Sequence, residues 1–134
     1  MSETMTLSNR DTLIATAKRR FAEVSIDGLG TLRIRSLSAG DASKIEADTY
    51  ADNKKKEGSG IAKWKARHVA AAVVDENGNR LFADKEIDTI LSMDRATVDA
   101  IYDAVARHCG IEMDDTEQAE KNSETTHKGS SLSD

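Results

Sequence analysis

Three histidines and one cysteine are the side chains best suited to bind a transition metal or to act as a nucleophile: His68, His108, Cys109 and His127. A zinc site needs three or four such ligands at close spacing. These residues form no CxxC, HxH or HExxH pattern. The sequence therefore predicts no metal site.

Covalent and acid–base chemistry have no better candidate. His108 and Cys109 are adjacent, but they fall in the last turn of a predicted helix, whose negative dipole end raises the pKa of a thiol. Lys63 follows a Gly-Ser-Gly string, yet the Walker spacing and the Ser or Thr after the lysine are missing. Acidic residues are scattered rather than paired. We expect no catalytic residue, no cofactor and no enzymatic activity.

The first element that would position any site is a β-hairpin, predicted by the alternation of apolar and polar residues between positions 22 and 37. A three-residue loop, Gly28 to Gly30, keeps the apolar side chains of both strands on one face. Asp27 then begins a type I turn and Gly30 takes the left-handed bulge position. The pairs predicted on that face are Ile26 with Leu32 and Val24 with Ile34.

Three or four helices are predicted after the hairpin. Ser38 and Asp41 form a capping box for the first of them, which ends near Asn53. Residues 54–60 are interpreted as a flexible connection. A central helix begins at Ile61, and its apolar stripe consists of Ala62, Ala66, Val69 and Val73.

The string from Asp75 to Asn79 predicts a turn, and residues 80–82 a short extended segment. Asp84 is predicted to cap the next helix. The last helix is capped by Asp94 and ends at Gly110. The predicted fold class is therefore α+β, mainly α.

Charge divides the chain into segments. Residues 112–134 hold seven acidic and two basic side chains, which leaves 17 of each sign in residues 1–111. We predict a loosely ordered segment at 1–20, a folded domain at 21–111 and a disordered acidic tail at 112–134.

These properties also limit the partner classes. The balanced charge of residues 1–111 provides no basic field for phosphates, so we expect no nucleic-acid partner. Neither a secretory signal nor a membrane-spanning stretch is evident. One cysteine in the whole chain is typical of a reducing cytosol.

What remains is a protein-binding interpretation. Trp64, Leu81 and Phe82 are large apolar residues near predicted turns, where such residues can anchor a partner. The alternative is that all three fill the core, and the sequence favours neither interpretation.

The segment VVDENGNRLFADKEIDTIL and the later string AEKNSETT together resemble the tail assembly chaperones of long-tailed, siphovirus-type bacteriophages and prophages. That family commonly has a hairpin and an acidic-polar helix, then a valine-rich segment, a D-x-x-G turn followed by Leu-Phe, two short helices and a Lys-Asn-Ser string. The order and spacing of these features match over roughly residues 21–126.

This resemblance implies a chaperone that coats the long, helical, apolar tape measure protein until tail tube subunits polymerise around it. It would act in the host bacterial cytoplasm as a homo-oligomer or multicopy coat, and would be absent from the mature virion. An amphipathic partner would lie in a groove between helices. The residues we expect to bind the partner are Trp64, His68, Leu81, Phe82, Ile87 and Leu91.

Members of the family often have a longer, frameshifted form that binds the tail tube protein. The triplet Glu120-Lys121-Asn122 is compatible with the codons GAA-AAA-AAC, on which such slippage occurs. Two alternatives remain open at this point. One is a minor structural or head–tail joining protein that stays in the particle, and the other is a small enzyme whose pocket is not evident.

Overall fold

The computed structural model describes residues 7–111, and this part of the chain has an α+β fold that is mainly helical, as predicted. Its elements, in chain order, are α1 (Arg10–Thr16), β1 (Phe21–Ile26), β2 (Gly30–Arg35), α2 (Ala39–Lys55), α3 (Ser59–Ala62), α4 (Trp64–Ala72), β3 (Val73–Val74), a 3-10 turn (Asp84–Glu86), α5 (Ile87–Leu91) and α6 (Arg95–Cys109). The three strands form an antiparallel sheet in the order β1-β2-β3.

The hairpin is present, but its predicted register is wrong by two residues. Ile26 pairs with Gly30, and the facing apolar pairs are Val24 with Leu32 and Ala22 with Ile34. A shift of two leaves every side chain on its predicted face, because strand side chains alternate with a period of two. The error therefore changes the neighbours and not the buried face.

The position of the turn explains the shifted register. The amide of Leu29 donates to the Ile26 carbonyl at 3.0 Å, so Asp27 lies in the second position of the turn and not in the first. Gly28 follows it with a φ of 79°, a left-handed conformation that costs a glycine little. The loop consists of residues 27–29, one position earlier than predicted.

Helix α2 begins as predicted. The Ser38 hydroxyl accepts from the Asp41 amide and the Asp41 carboxylate accepts from the Ser38 amide, both at 3.0 Å. Each bond satisfies a donor that a helix start leaves without a partner. The capping box thus fixes where the chain turns from the sheet into the helical layer.

The predicted flexible connection after α2 is wrong at α3, which is a packed helical turn. The Gly60 amide donates to the Asn53 side-chain oxygen at 2.7 Å. A Cβ at Gly60 would lie 2.0 Å from the Thr49 carbonyl oxygen, so only glycine permits this close approach to α2. The chain turns at Lys63 before α4 begins, and the predicted central helix is divided there.

Strand β3 was not predicted. Val73 and Val74 continue the apolar stripe of α4 in sequence, but they extend and pair with Ile34 and Arg33 of β2. The predicted turn follows, with the Asp75 carboxylate accepting from two amides of the loop at 2.8 and 3.0 Å. The turn reverses the chain direction, and Arg80 then forms an isolated antiparallel β-bridge with Val74.

The two remaining predicted caps have different outcomes. Asp94 accepts from the Thr97 amide at 3.3 Å and α6 ends at Gly110, as predicted. Asp84 is not a cap, because it lies inside the 3-10 turn and accepts instead from Arg80 at 2.8 Å. The amide at the start of that turn is satisfied by the Glu86 carboxylate.

The core lies where the apolar face of the sheet meets α4 and α6. Ala66 and Val69 of the predicted stripe are buried, whereas Ala62 is exposed. Small side chains let α4 and α6 pack closely, and they leave most of the buried volume to a few branched residues. The largest fully buried side chains are Ile34, Val69, Ile90 and Val105.

Helix α1 was also not predicted. Asn9 caps it by accepting from the Thr12 amide at 2.9 Å, and none of its residues is buried. The predicted domain boundaries at residues 20 and 111 stay a prediction. The tail predicted at 112–134 lies outside the described residues.

Candidate functional site

The candidate site is an apolar groove formed where α3 and the start of α4 meet the end of α5 and the start of α6. It encloses about 770 Å³. Large, mostly apolar grooves between helices are the usual seats of amphipathic helices. The large apolar residues that line it are Ile61, Trp64, Ile90, Leu91, Met93 and Val98, and Ala62 and Ala66 lie among them.

Two large apolar side chains of the groove are exposed, so a partner can contact them. Ile61 is 70% exposed and Leu91 is 45% exposed, although both are large and apolar. The position of Ile61 follows from the α3 corner, because Gly60 is held against α2 and the next residue is directed outward. Trp64, Met93 and Val98 are half-buried against the core and form the floor.

Hydrogen bonding and ring packing orient Trp64. Its indole Nε1 donates to the Tyr102 hydroxyl at 3.3 Å. The Trp64 and His68 ring centroids are 4.6 Å apart, and the His68 ring meets Tyr102 edge-on at 5.6 Å. This arrangement connects the groove floor on α4 to α6.

His68 lies beneath the floor and is only 3% exposed. Its Nδ1 lies 2.9 Å from the Trp64 carbonyl oxygen. Because a carbonyl oxygen can only accept, Nδ1 carries the proton and donates this hydrogen bond. Burial lowers the pKa of the imidazole, and the hydrogen bond to Trp64 and the charge of Glu46 oppose that shift only in part. His68 is therefore neutral near pH 7, and it supports Trp64 from below.

The rim of the groove is charged. The Asp99 carboxylate lies 3.1 Å from the Lys65 ammonium and 3.5 Å from the Arg95 guanidinium. Lys65 also lies 5.5 Å from the centre of the Tyr102 ring. Exposed pairs of this kind contribute little stability, but they surround the apolar floor with polar groups.

The structure brings together two of the six residues predicted to bind a partner, Trp64 and Leu91. His68 contacts the groove only from inside the core. Leu81 is 47% exposed but lies outside the groove, and Phe82 is half-buried against the core. Ile87 lines a separate, charged cleft beside α2.

Sequence reasoning did not select Ile61, Met93 or Val98 as site residues. In the sequence, Ile61 begins a predicted helix and lies outside its apolar stripe, and Val98 falls within the predicted last helix. Met93 could have been selected from the sequence, because it is a large apolar residue directly before the Asp94 cap. Apolar residues at that position often pack against the helix that follows. Only the packing of four helix ends shows that these side chains share one groove.

The other groups considered for chemistry are not arranged for it in the described residues. Within residues 7–111, His, Cys, Asp and Glu side chains form no group of three that could hold a metal ion. Burial raises the pKa of the Cys109 thiol. The His108 ring bonds the Arg20 carbonyl at 3.0 Å and not the thiol.

Neither helix hydropathy nor comparison with known proteins adds an assignment. In the described part of the chain, no helix is long and apolar enough to cross a membrane. No protein-family model, no curated protein and no solved structure matches the chain. The groove is therefore the structural feature from which a function can be inferred.

Proposed function

We propose that this protein is a phage tail assembly chaperone, and that its apolar groove holds amphipathic helical segments of the tape measure protein. The observation that carries this proposal is the groove itself, in which Ile61 and Leu91 stay exposed above a floor centred on Trp64. A helix presenting apolar residues at i, i+3 or i+4 and i+7 matches such a seat.

The energetics suit a chaperone whose client must later be released. A single groove with a floor of a few side chains gives modest affinity once the cost of association is included. Many copies on one long helical client would gain avidity, while each contact could still be displaced separately. We therefore propose a multicopy coat in the host bacterial cytoplasm, shed before the virion is complete.

The resemblance in residues 73–91 supports the same assignment independently of the groove. Within the proposal, the protein has no enzymatic role and needs no cofactor. A longer frameshifted form would recruit the tail tube protein. Sequencing the codons of Glu120-Lys121-Asn122 tests that part, because GAG for the glutamate or AAG for the lysine removes the slippery heptamer.

The direct test is co-expression with the longest helical protein encoded downstream of this gene. The proposal expects that protein to become soluble and to co-elute with several copies of this chain on a sizing column. An insoluble client, with this chain alone in the supernatant, would contradict the proposal. Recovery of this chain from purified particles would instead favour a structural or head–tail joining protein.

A further inference from the structure

Basic side chains lie around the last turn of α6, at the end of the domain opposite the groove. The Arg20 guanidinium donates to the His108 carbonyl, and the His108 ring bonds the Arg20 carbonyl at 3.0 Å. These bonds place residues 18–20 beside the helix terminus. We name the surface formed by Lys18, Arg19, Arg20 and Arg107 the basic end.

Most of the basic end forms no ion pair within the described residues, and Arg107 lines a surface cleft together with Asp27 and Asp103. Among these four side chains, only Arg19 has a carboxylate partner within residues 7–111, and that partner is Asp41 at 2.7 Å. Lys18, Arg20 and Arg107 have no carboxylate within 4.0 Å among residues 7–111. All three are exposed, so they are available to an anionic partner.

The chain leaves the described domain at this same place. The Ile111 amide donates to the Ala106 carbonyl at 2.9 Å, directly after Gly110 ends α6. The next residues, Glu112 to Glu117, include four carboxylates and no basic side chain. Six extended residues span up to about 20 Å, which is enough to cross the basic end.

We propose that this acidic segment, residues 112–117, docks on the basic end of its own chain. The segment carries the opposite charge to the basic end, and it begins directly beside that surface, where α6 ends. Because the segment is tethered within a few residues of its site, its effective concentration greatly exceeds that of a free acidic peptide.

This docking is independent of the groove and of the proposed function. Helix α6 has 15 residues, so its ends are about 22 Å apart. Val98 and Asp99, near the start of α6, line the groove. The basic end lies around His108, near the end of the same helix. A client in the groove and the segment at the basic end can therefore be bound together.

Paramagnetic relaxation enhancement on the full chain tests the proposal. A spin label is attached through Thr116→Cys in a Cys109→Ser background, with a Ser131→Cys label as the distal control. At about 0.01 M salt, where the Debye length is about 30 Å, the Thr116 label should broaden the amides of Arg20 and Arg107. At about 1 M salt the Debye length is about 3 Å, and the broadening should fall to the level that the undocked tether alone produces.

A matched pair of variants separates the basic end from total charge. Arg20→Gln with Arg107→Gln should reduce the broadening to its high-salt level, while Lys65→Gln with Arg95→Gln, which removes the same charge beside the groove, should leave the low-salt broadening unchanged. Broadening that is equally strong at low and high salt, or in the wild type and the first pair, would overturn the proposal.

A mixing experiment identifies the occupant. Spin-labelled copies without isotope are added to isotope-labelled copies without the spin label. The proposal expects no broadening in this mixture, and broadening would assign the occupant to a second copy. The readout does not involve the tape measure protein, so it also remains decisive if the chaperone proposal fails.

Discussion

The indole Nε1 of Trp64 donates to the hydroxyl of Tyr102 at 3.3 Å, across the contact between α4 and α6. The bond joins the groove floor to a residue that is 8% exposed. It makes the shape of the groove depend on the packing of α4 against α6.

Tyr102→Phe should lower the free energy of unfolding by about 0.5–1.5 kcal/mol, because it removes one hydrogen bond and leaves the ring in place. Urea unfolding followed by the fluorescence of Trp64, the single tryptophan, measures the loss. Tyr50→Phe is the matched control, since Tyr50 is 65% exposed and should change stability little. Equal effects at both positions would count against a structural role for the bond.

Gly60→Ala should destabilise the fold by about 1–3 kcal/mol, because the new Cβ would overlap the Thr49 carbonyl and force α3 away from α2. Gly40→Ala is the control in helix α2. Its Cβ would meet only the Ser38 hydroxyl at 3.7 Å, and alanine is the better helix former. Thermal unfolding compares the two variants, and a stable Gly60→Ala protein would contradict the packed corner.

Stability should fall as pH drops below about 6.5, the pKa of histidine in an unfolded chain, because burial lowers the pKa of His68 in the folded state. In that window the unfolded chain binds a proton that the folded chain does not. Above about pH 6.5 the contribution of His68 is constant.

Urea unfolding of the wild type and of His68→Gln between about pH 5 and 8 measures the effect, which is about 1.4 kcal/mol for each unit separating the two pKa values. The variant should be less stable overall but should show a flatter pH dependence. Carboxylates with lowered pKa values, such as Asp41, lose their contribution only at lower pH. An unchanged slope in the variant would assign the pH dependence to other groups.

Leu91→Gln should weaken the capture of the co-expressed client protein, because it places an amide on the groove wall. Leu81→Gln is the matched control, since the two leucines are 45% and 47% exposed and only Leu91 lines the groove. Both changes should alter stability by less than about 0.5 kcal/mol, as surface substitutions usually do. Equal loss of client binding in both variants would argue against the groove as the seat.

Cys109 should react slowly with a thiol reagent such as DTNB near pH 8, because burial raises the pKa of its thiol. Denaturing urea should accelerate the reaction to the rate of an ordinary cysteine. A Ser43→Cys variant on the exposed face of α2 provides the reference rate in the folded state. A fast reaction of Cys109 in the native protein would contradict the burial.

Local signals in the sequence were sufficient for the helix boundaries that depend on local bonds. The Ser38 and Asp94 caps were predicted correctly, since each involves residues within one turn. Asp84 was predicted by the same rule and was wrong, because Arg80 and Glu86 supply competing interactions. Local rules therefore identify candidates for caps and do not decide among them.

Two of the missed features involve residues far apart in sequence. Val73 and Val74 continue a helical stripe, yet pairing with β2, about 40 residues earlier, makes them a strand. Trp64 and Leu91 were two of the six residues expected to bind a partner. Their meeting with Ile61 in one groove depends on the close approach of Gly60 to α2, which no spacing rule predicts.

The pattern of residues along the chain was enough to predict the fold class, the buried face of the hairpin, the caps at Ser38 and Asp94, and the division between a charge-balanced segment and an acidic end. These properties depend on periodicity, local hydrogen bonds and composition, all of which can be counted along the chain. The hairpin register, the third strand, the break before α4 and the groove became apparent only from the folded chain. Each of these depends on which distant surfaces pack together, and packing depends on shapes that a linear pattern does not contain.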